Sequence, residues 1–100
     1  MKIRAIIWYK DYERGLKQLL QIKENYKLLE IYPKQIRDKF IQFDNDDIWE
    51  LADANFPHLG KRCHISYIQR GIDAEIVDNC ISPCTIAQPF QAFYYYGYFD

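Results

Sequence analysis

Hydrophobic and polar positions follow two rhythms along this chain. Lys2 to Tyr9 carries the near-continuous apolar run Ile3, Ala5, Ile6, Ile7 and Trp8. Such a run predicts a strand buried on both faces, in the middle of a sheet. From Asp11 to about Tyr26 the rhythm becomes helical. Tyr12, Leu16, Leu19, Leu20 and Lys23 share one face, and Lys17, Gln18, Gln21 and Glu24 share the other. Asp11 reads as the N-cap, although Arg14 stands where a capping box wants Glu or Gln. Gly15 weakens the first turn by about 1 kcal/mol relative to Ala. Leu16, Leu19 and Leu20 are expected to pack on the sheet rather than form a partner groove.

Leu28 to Tyr32 reads as a second strand stopped by Pro33, and Lys39 to Phe43 with Ile48 to Asp53 as a hairpin. The two-residue period puts Ile41 with Phe43 and Trp49 with Leu51. Trp49 or Ile48 should then be buried against the first helix. The connecting Asp44-Asn45-Asp46-Asp47 is a tight turn without glycine. It lacks the central Gly and terminal Glu of a calcium loop, so a solvated turn is expected. Ala54 to Gly60 is a loop, and Arg62 to Ile68 is the next strand. Asp73 to about Cys80 reads as a short helix capped by Asp73, with Ile76, Val77 and Cys80 inward and Ser82-Pro83 ending it. Thr85 to Asp100 is a last strand or an adhesive tail. The order β-α-β-β-β-β-α-(β) places the chain in the α+β or α/β class. One domain over residues 1–100 is expected, with a central sheet of about five strands and two helices.

Composition narrows the partners. The chain is 49% hydrophobic and 17% aromatic, with nine tyrosines, which excludes a disordered segment. Formal net charge is −1, so no basic excess exists to neutralise a phosphate backbone, and free nucleic acid is not an expected partner. The apolar run near the N-terminus has no small-residue cleavage site after it, and no run approaches a membrane span. A cytoplasmic location with reduced cysteines is the expectation. Three cysteines cannot form a complete disulfide framework.

The candidate chemistry gathers in Lys61 to Cys84. Cys80 and Cys84 are spaced C-x3-C across Pro83, and Cys63, His64 and His58 lie upstream. Together Cys63, Cys80, Cys84 and either His58 or His64 supply four N or S ligands for a structural zinc. Cys63 and His64 are adjacent, so on a strand they point to opposite faces and do not both ligate without a bulge. The competing reading makes Cys63 and Cys80 small buried apolar residues. The same divergence argues against a Cys–His nucleophile. All four glycines are isolated, so no phosphate loop forms.

The stretch Phe40-Ile41-Gln42-Phe43-Asp44-Asn45-Asp46-Asp47-Ile48-Trp49, then Gly60-Lys61-Arg62, then Ile65-Ser66-Tyr67-Ile68, resembles the hairpin, R-G turn and Walker B strand of phage packaging ATPases. The order here is Gly then Arg, Gln69 replaces the metal-binding Asp, and no P-loop follows the first strand. That likeness implies an ATPase-like half-domain without ATPase chemistry. In size, aromatic excess and lack of catalytic motifs the chain is also similar to small phage-encoded inhibitors of host defence, including anti-CRISPR proteins. This likeness implies a non-enzymatic inhibitor that docks on a larger host protein, such as a nuclease.

A binding protein is thus the preferred reading. Tyr94, Tyr95, Tyr96 and Phe99 are the candidate contacts, because a run this aromatic cannot all enter one core. Asp44, Asp46 and Asp47 are candidates for a basic partner surface. The rival is a small zinc- or thiol-dependent enzyme built on the Cys/His cluster. A depressed thiol pKa at Cys63 or Cys84 would favour it.

Overall fold

The computed structural model describes residues 2–56, 62–86 and 95–100. Within these lie β1 (Arg4–Tyr9), α1 (Tyr12–Leu28), β2 (Pro33–Arg37), β3 (Phe40–Phe43), β4 (Ile48–Asp53), β5 (Ile65–Gln69) and β6 (Tyr95–Phe99). Between β5 and β6 runs a helical segment of α2 (Ala74–Ile76), a π-helical turn (Val77–Ile81) and α3 (Ser82–Ile86). The strands form one sheet in the order β2-β3-β4-β1-β5-β6, six strands rather than five. β4, β1, β5 and β6 run parallel, and β2 and β3 extend the sheet antiparallel beyond β4. The fold is of the α+β class.

The unbroken apolar run of β1 has the cause inferred for it. β1 is a central strand, and successive residues serve opposite cores. Ala5, Ile7 and Tyr9 join Leu19 of α1, Ile41, Phe43, Trp49, Leu51 and Phe99 on one face. Ile6 and Trp8 join Ala52, Cys63, Ile68, Ile81 and Cys84 on the other, under the helical segment. Helices therefore cover both faces of the sheet. At Gly15, α1 comes close to β1. A Cβ there would sit 2.7 Å from Tyr9 Cβ, so what reads as a weak helix position is a packing contact. Leu16 and Leu19 pack on the sheet as expected, but Leu20 is half exposed. The buried stripe runs instead through Gly15, Leu19, Ile22 and Tyr26.

Three boundaries differ from the expectation. α1 continues to Leu28, so Leu28 to Tyr32 is not a strand. Ile31 N–H bonds to Tyr26 C=O and Glu30 N–H to Lys27 C=O, with Glu30 at φ 60°. This is a Schellman stop in which Glu takes the place glycine usually signals. Pro33 does not end a strand but begins β2, an edge strand that does not need its missing N–H. Ser82-Pro83 does not end the second helix either. Ser82 N–H reaches Val77 C=O across the wider π turn, and the helical segment carries on through Pro83 into α3.

Candidate functional site

The cysteine region is arranged for packing and hydrogen bonding. Cys63 is fully buried, with Sγ 3.4 Å from Ser66 Oγ and 3.9 Å from Thr85 Oγ1. Ser66 Oγ lies 2.6 Å from Thr85 Oγ1 and accepts the indole N–H of Trp8 at 3.0 Å. These four side chains tie β1, β5 and α3 together beneath the second core. Burial pushes the Cys63 thiol above its ordinary pKa. That is the direction opposite to what a nucleophilic thiolate requires. Cys84 Sγ–H donates to Cys80 C=O at 3.1 Å, one helical turn back, and Cys63 N–H donates to Cys84 C=O. His64 Nδ1 accepts the N–H of Arg4 at 3.1 Å. None of the three cysteines is in a disulfide. Among the described residues, no three His, Cys, Asp or Glu side chains come together in a group fit to hold a metal ion. His58 lies outside the described residues.

The acidic turn divides into two roles. Asp47 is only 4% exposed, so a partner cannot reach it as the sequence suggested. Its Oδ1 accepts Ile3 N–H at 2.9 Å, and its Oδ2 accepts Tyr26 O–H at 2.8 Å and Asn45 Nδ2–H at 3.1 Å. The carboxylate pins the start of β1, the end of α1 and the β3–β4 turn to one point. Tyr26 also accepts Trp49 Nε1–H at 3.0 Å. Burial, helped by Asp47 and opposed by the indole, pushes the Tyr26 phenol up to about 12. Asp44 and Asp46 remain exposed. Asp46 takes the left-handed turn position at φ 72° and pairs with Lys34 at 3.4 Å.

The aromatic tail ends in β6, an edge strand. Tyr95 N–H donates to His64 C=O, and Arg70 N–H donates to Phe99 C=O. By the two-residue period, Tyr95, Gly97 and Phe99 turn their peptide groups toward β5, while those of Tyr96 and Tyr98 turn outward. Side chains alternate across the sheet as well. Phe99 is 5% exposed and packs in the first core, its ring 5.0 Å from that of Tyr67. It therefore serves the fold rather than a contact surface. Gly97 lets this happen, because a Cβ there would lie 2.7 Å from the Tyr67 ring. Tyr96 is half buried over the second core, and its hydroxyl donates to Ser82 C=O at 3.3 Å. Tyr95 and Tyr98 are 59% and 51% exposed, one on each face of the strand. Arg70 lies 5.8 Å from the Tyr98 ring centre. Tyr94 lies outside the described residues. Tyr98 was not among the sequence candidates; the two-residue period puts it on the face opposite a buried Phe99.

No protein-family model, curated protein or solved structure matches the chain. Among the described residues no helix is long and apolar enough to cross a membrane.

Proposed function

We propose that this domain acts by binding a larger protein along the outer edge of β6. One observation carries the reading: Tyr95 and Tyr98 stand exposed on either face of β6, the last strand of the sheet among the described residues. An open sheet edge is a template for an added strand, and flanking tyrosines supply area at low entropic cost. The fold does not need these two rings in a core. Asp44 and Asp46 lie at the β3–β4 turn, about 14–19 Å from β6 at the usual strand spacing, and form a separate acidic contact. A partner with a basic channel, such as a nuclease, suits that pair of features, and its inhibition by occupancy is the specific form of the proposal. The raised pKa of Cys63 weighs against the thiol-enzyme alternative.

The test compares proteins retained from a host lysate by the wild type and by a Tyr95→Ser/Tyr98→Ser variant, identified by mass spectrometry. A protein held by the wild type and lost from a variant of unchanged melting temperature supports the reading. Identical retention by both overturns it.

A further inference from the structure

The parallel part of the sheet has a topological switch point. From β1 the chain leaves by α1 on one face and returns as β4 on one side. From β5 it leaves by the helical segment on the other face and returns as β6 on the other side. The two connections diverge beyond the carboxyl ends of β1 and β5. In open α/β sheets that divergence opens the crevice in which ligands sit. Here it is an open groove of about 650 Å³, lined by Lys10, Asp11, Tyr12, Arg14, Gln69 and Arg70. Arg14 also lines a second groove with Lys17 and Asp100.

Gln69 indicates what the groove takes. It is 5% exposed. Its Oε1 accepts the N–H groups of Lys10 at 2.8 Å and Asp11 at 2.9 Å, which fixes the entry into α1. Its Nε2 carries two donors, and neither meets an acceptor among the described residues. A buried donor without an acceptor is costly, so the position calls for an acceptor from outside. The surroundings favour an anionic one. The amino end of the 17-residue α1 is here, and Lys10, Arg14 and Arg70 supply three cations. Asp11 caps Glu13 N–H with Oδ1 at 3.1 Å, and its Oδ2 lies 3.9 Å from Arg14 Nε, so it offers the ligand no opposing free charge. The chain's own Asp100 already illustrates the chemistry. Its main-chain oxygen accepts from Arg14 Nη1 at 2.6 Å, and its carboxylate lies 3.3 Å from Arg70 Nε.

We propose that this groove binds a small oxyanion, a carboxylate or a phosphate, on the Gln69 amide and the Arg14 and Arg70 guanidinium groups, in competition with Asp100. The site is independent of the β6 edge reading.

The test is a titration of the full chain, in low salt at pH 7, with inorganic phosphate in one arm and succinate in the other. It is followed by NMR at the Gln69 side-chain amide. A saturable shift of that amide is expected in at least one arm, and the tighter arm identifies the ligand chemistry. Gln69→Glu keeps the acceptor for Lys10 and Asp11 but replaces the donors with negative charge. It should weaken binding about tenfold or more, without change in melting temperature. Arg14→Gln, on an exposed helix face, should weaken binding as well, and Asp100→Asn should tighten it. A Gln69 amide that does not move in either arm overturns the proposal. So do shifts spread over exposed lysines without saturation, or equal affinity in Arg14→Gln and wild type.

Discussion

The Tyr26 hydroxyl donates to Asp47 Oδ2 at 2.8 Å while it accepts the Trp49 indole N–H at 3.0 Å. One phenol thus joins the last turn of α1 to the end of the β3–β4 turn and to β4. Its ring stacks on Phe43 with 4.0 Å between centres. Tyr26→Phe keeps that stack but leaves a buried carboxylate and a buried indole each short of a partner. The expected loss is about 1–3 kcal/mol in urea unfolding. A loss below about 0.5 kcal/mol would show that the three-way bond contributes little, as for an ordinary surface substitution.

The same phenol gives the domain a weakness to alkali. Tyr26 ionises at about 12 in the folded chain against an ordinary 10.0, and Cys63 is shifted above its ordinary 9.0 in the same direction. In both cases the fold favours the protonated form. Their contribution to stability is complete below the unfolded values and is lost as pH rises through the folded ones. Stability should therefore decline from about pH 9 and fall further between pH 10 and 12. In Tyr26→Phe the second part of the fall should shrink. Chemical denaturation at stepped pH checks this, and a flat profile from pH 9 to 12 would contradict it.

Much of the fold was legible, and the misreadings have physical causes. The β1 run and the β3–β4 hairpin follow from periodicity, which left Trp49 or Ile48 for the face under α1; the fold buries Trp49 there. The end of α1 was not legible, because Glu30 does the work of a C-terminal glycine. Pro33 and Pro83 misled for a shared reason. A proline ends an element only where its N–H is needed; at an edge strand it is not, and next to a π turn the helix passes through it. Asp47 looked like its neighbours Asp44 and Asp46. Only the tertiary arrival of Ile3 and Tyr26 sets it apart. Gln69 carried no local signal either, since its role depends on β1 and β5 becoming neighbours.

Gly15 offers a test of helix propensity against packing. In an isolated helix, Gly→Ala would stabilise by about 1 kcal/mol. Here the added methyl would meet Tyr9 Cβ at 2.7 Å, and both residues belong to rigid backbone elements. The expected outcome is net destabilisation, by roughly 1–3 kcal/mol, since α1 must lift from β1. Thermal melts of Gly15→Ala should show a lower midpoint. A raised midpoint would mean that α1 shifts freely on the sheet.

The aromatic tail separates fold from contact within one short strand. Phe99 fills the first core beside Tyr67, and Phe99→Ala should cost about 3–5 kcal/mol. Tyr98, one residue earlier, faces solvent under Arg70, and Tyr98→Ala should change stability by no more than about 0.5 kcal/mol. Gly97 sharpens the contrast. With a Cβ at that position, the Tyr67 ring would have to move or β6 would leave β5. Gly97→Ala should therefore behave like the Phe99 variant and not like its exposed neighbours. Urea unfolding of the three variants checks the pattern. Equal losses at Tyr98 and Phe99 would mean that both faces of β6 are buried, and Tyr98 would then not be exposed to a partner.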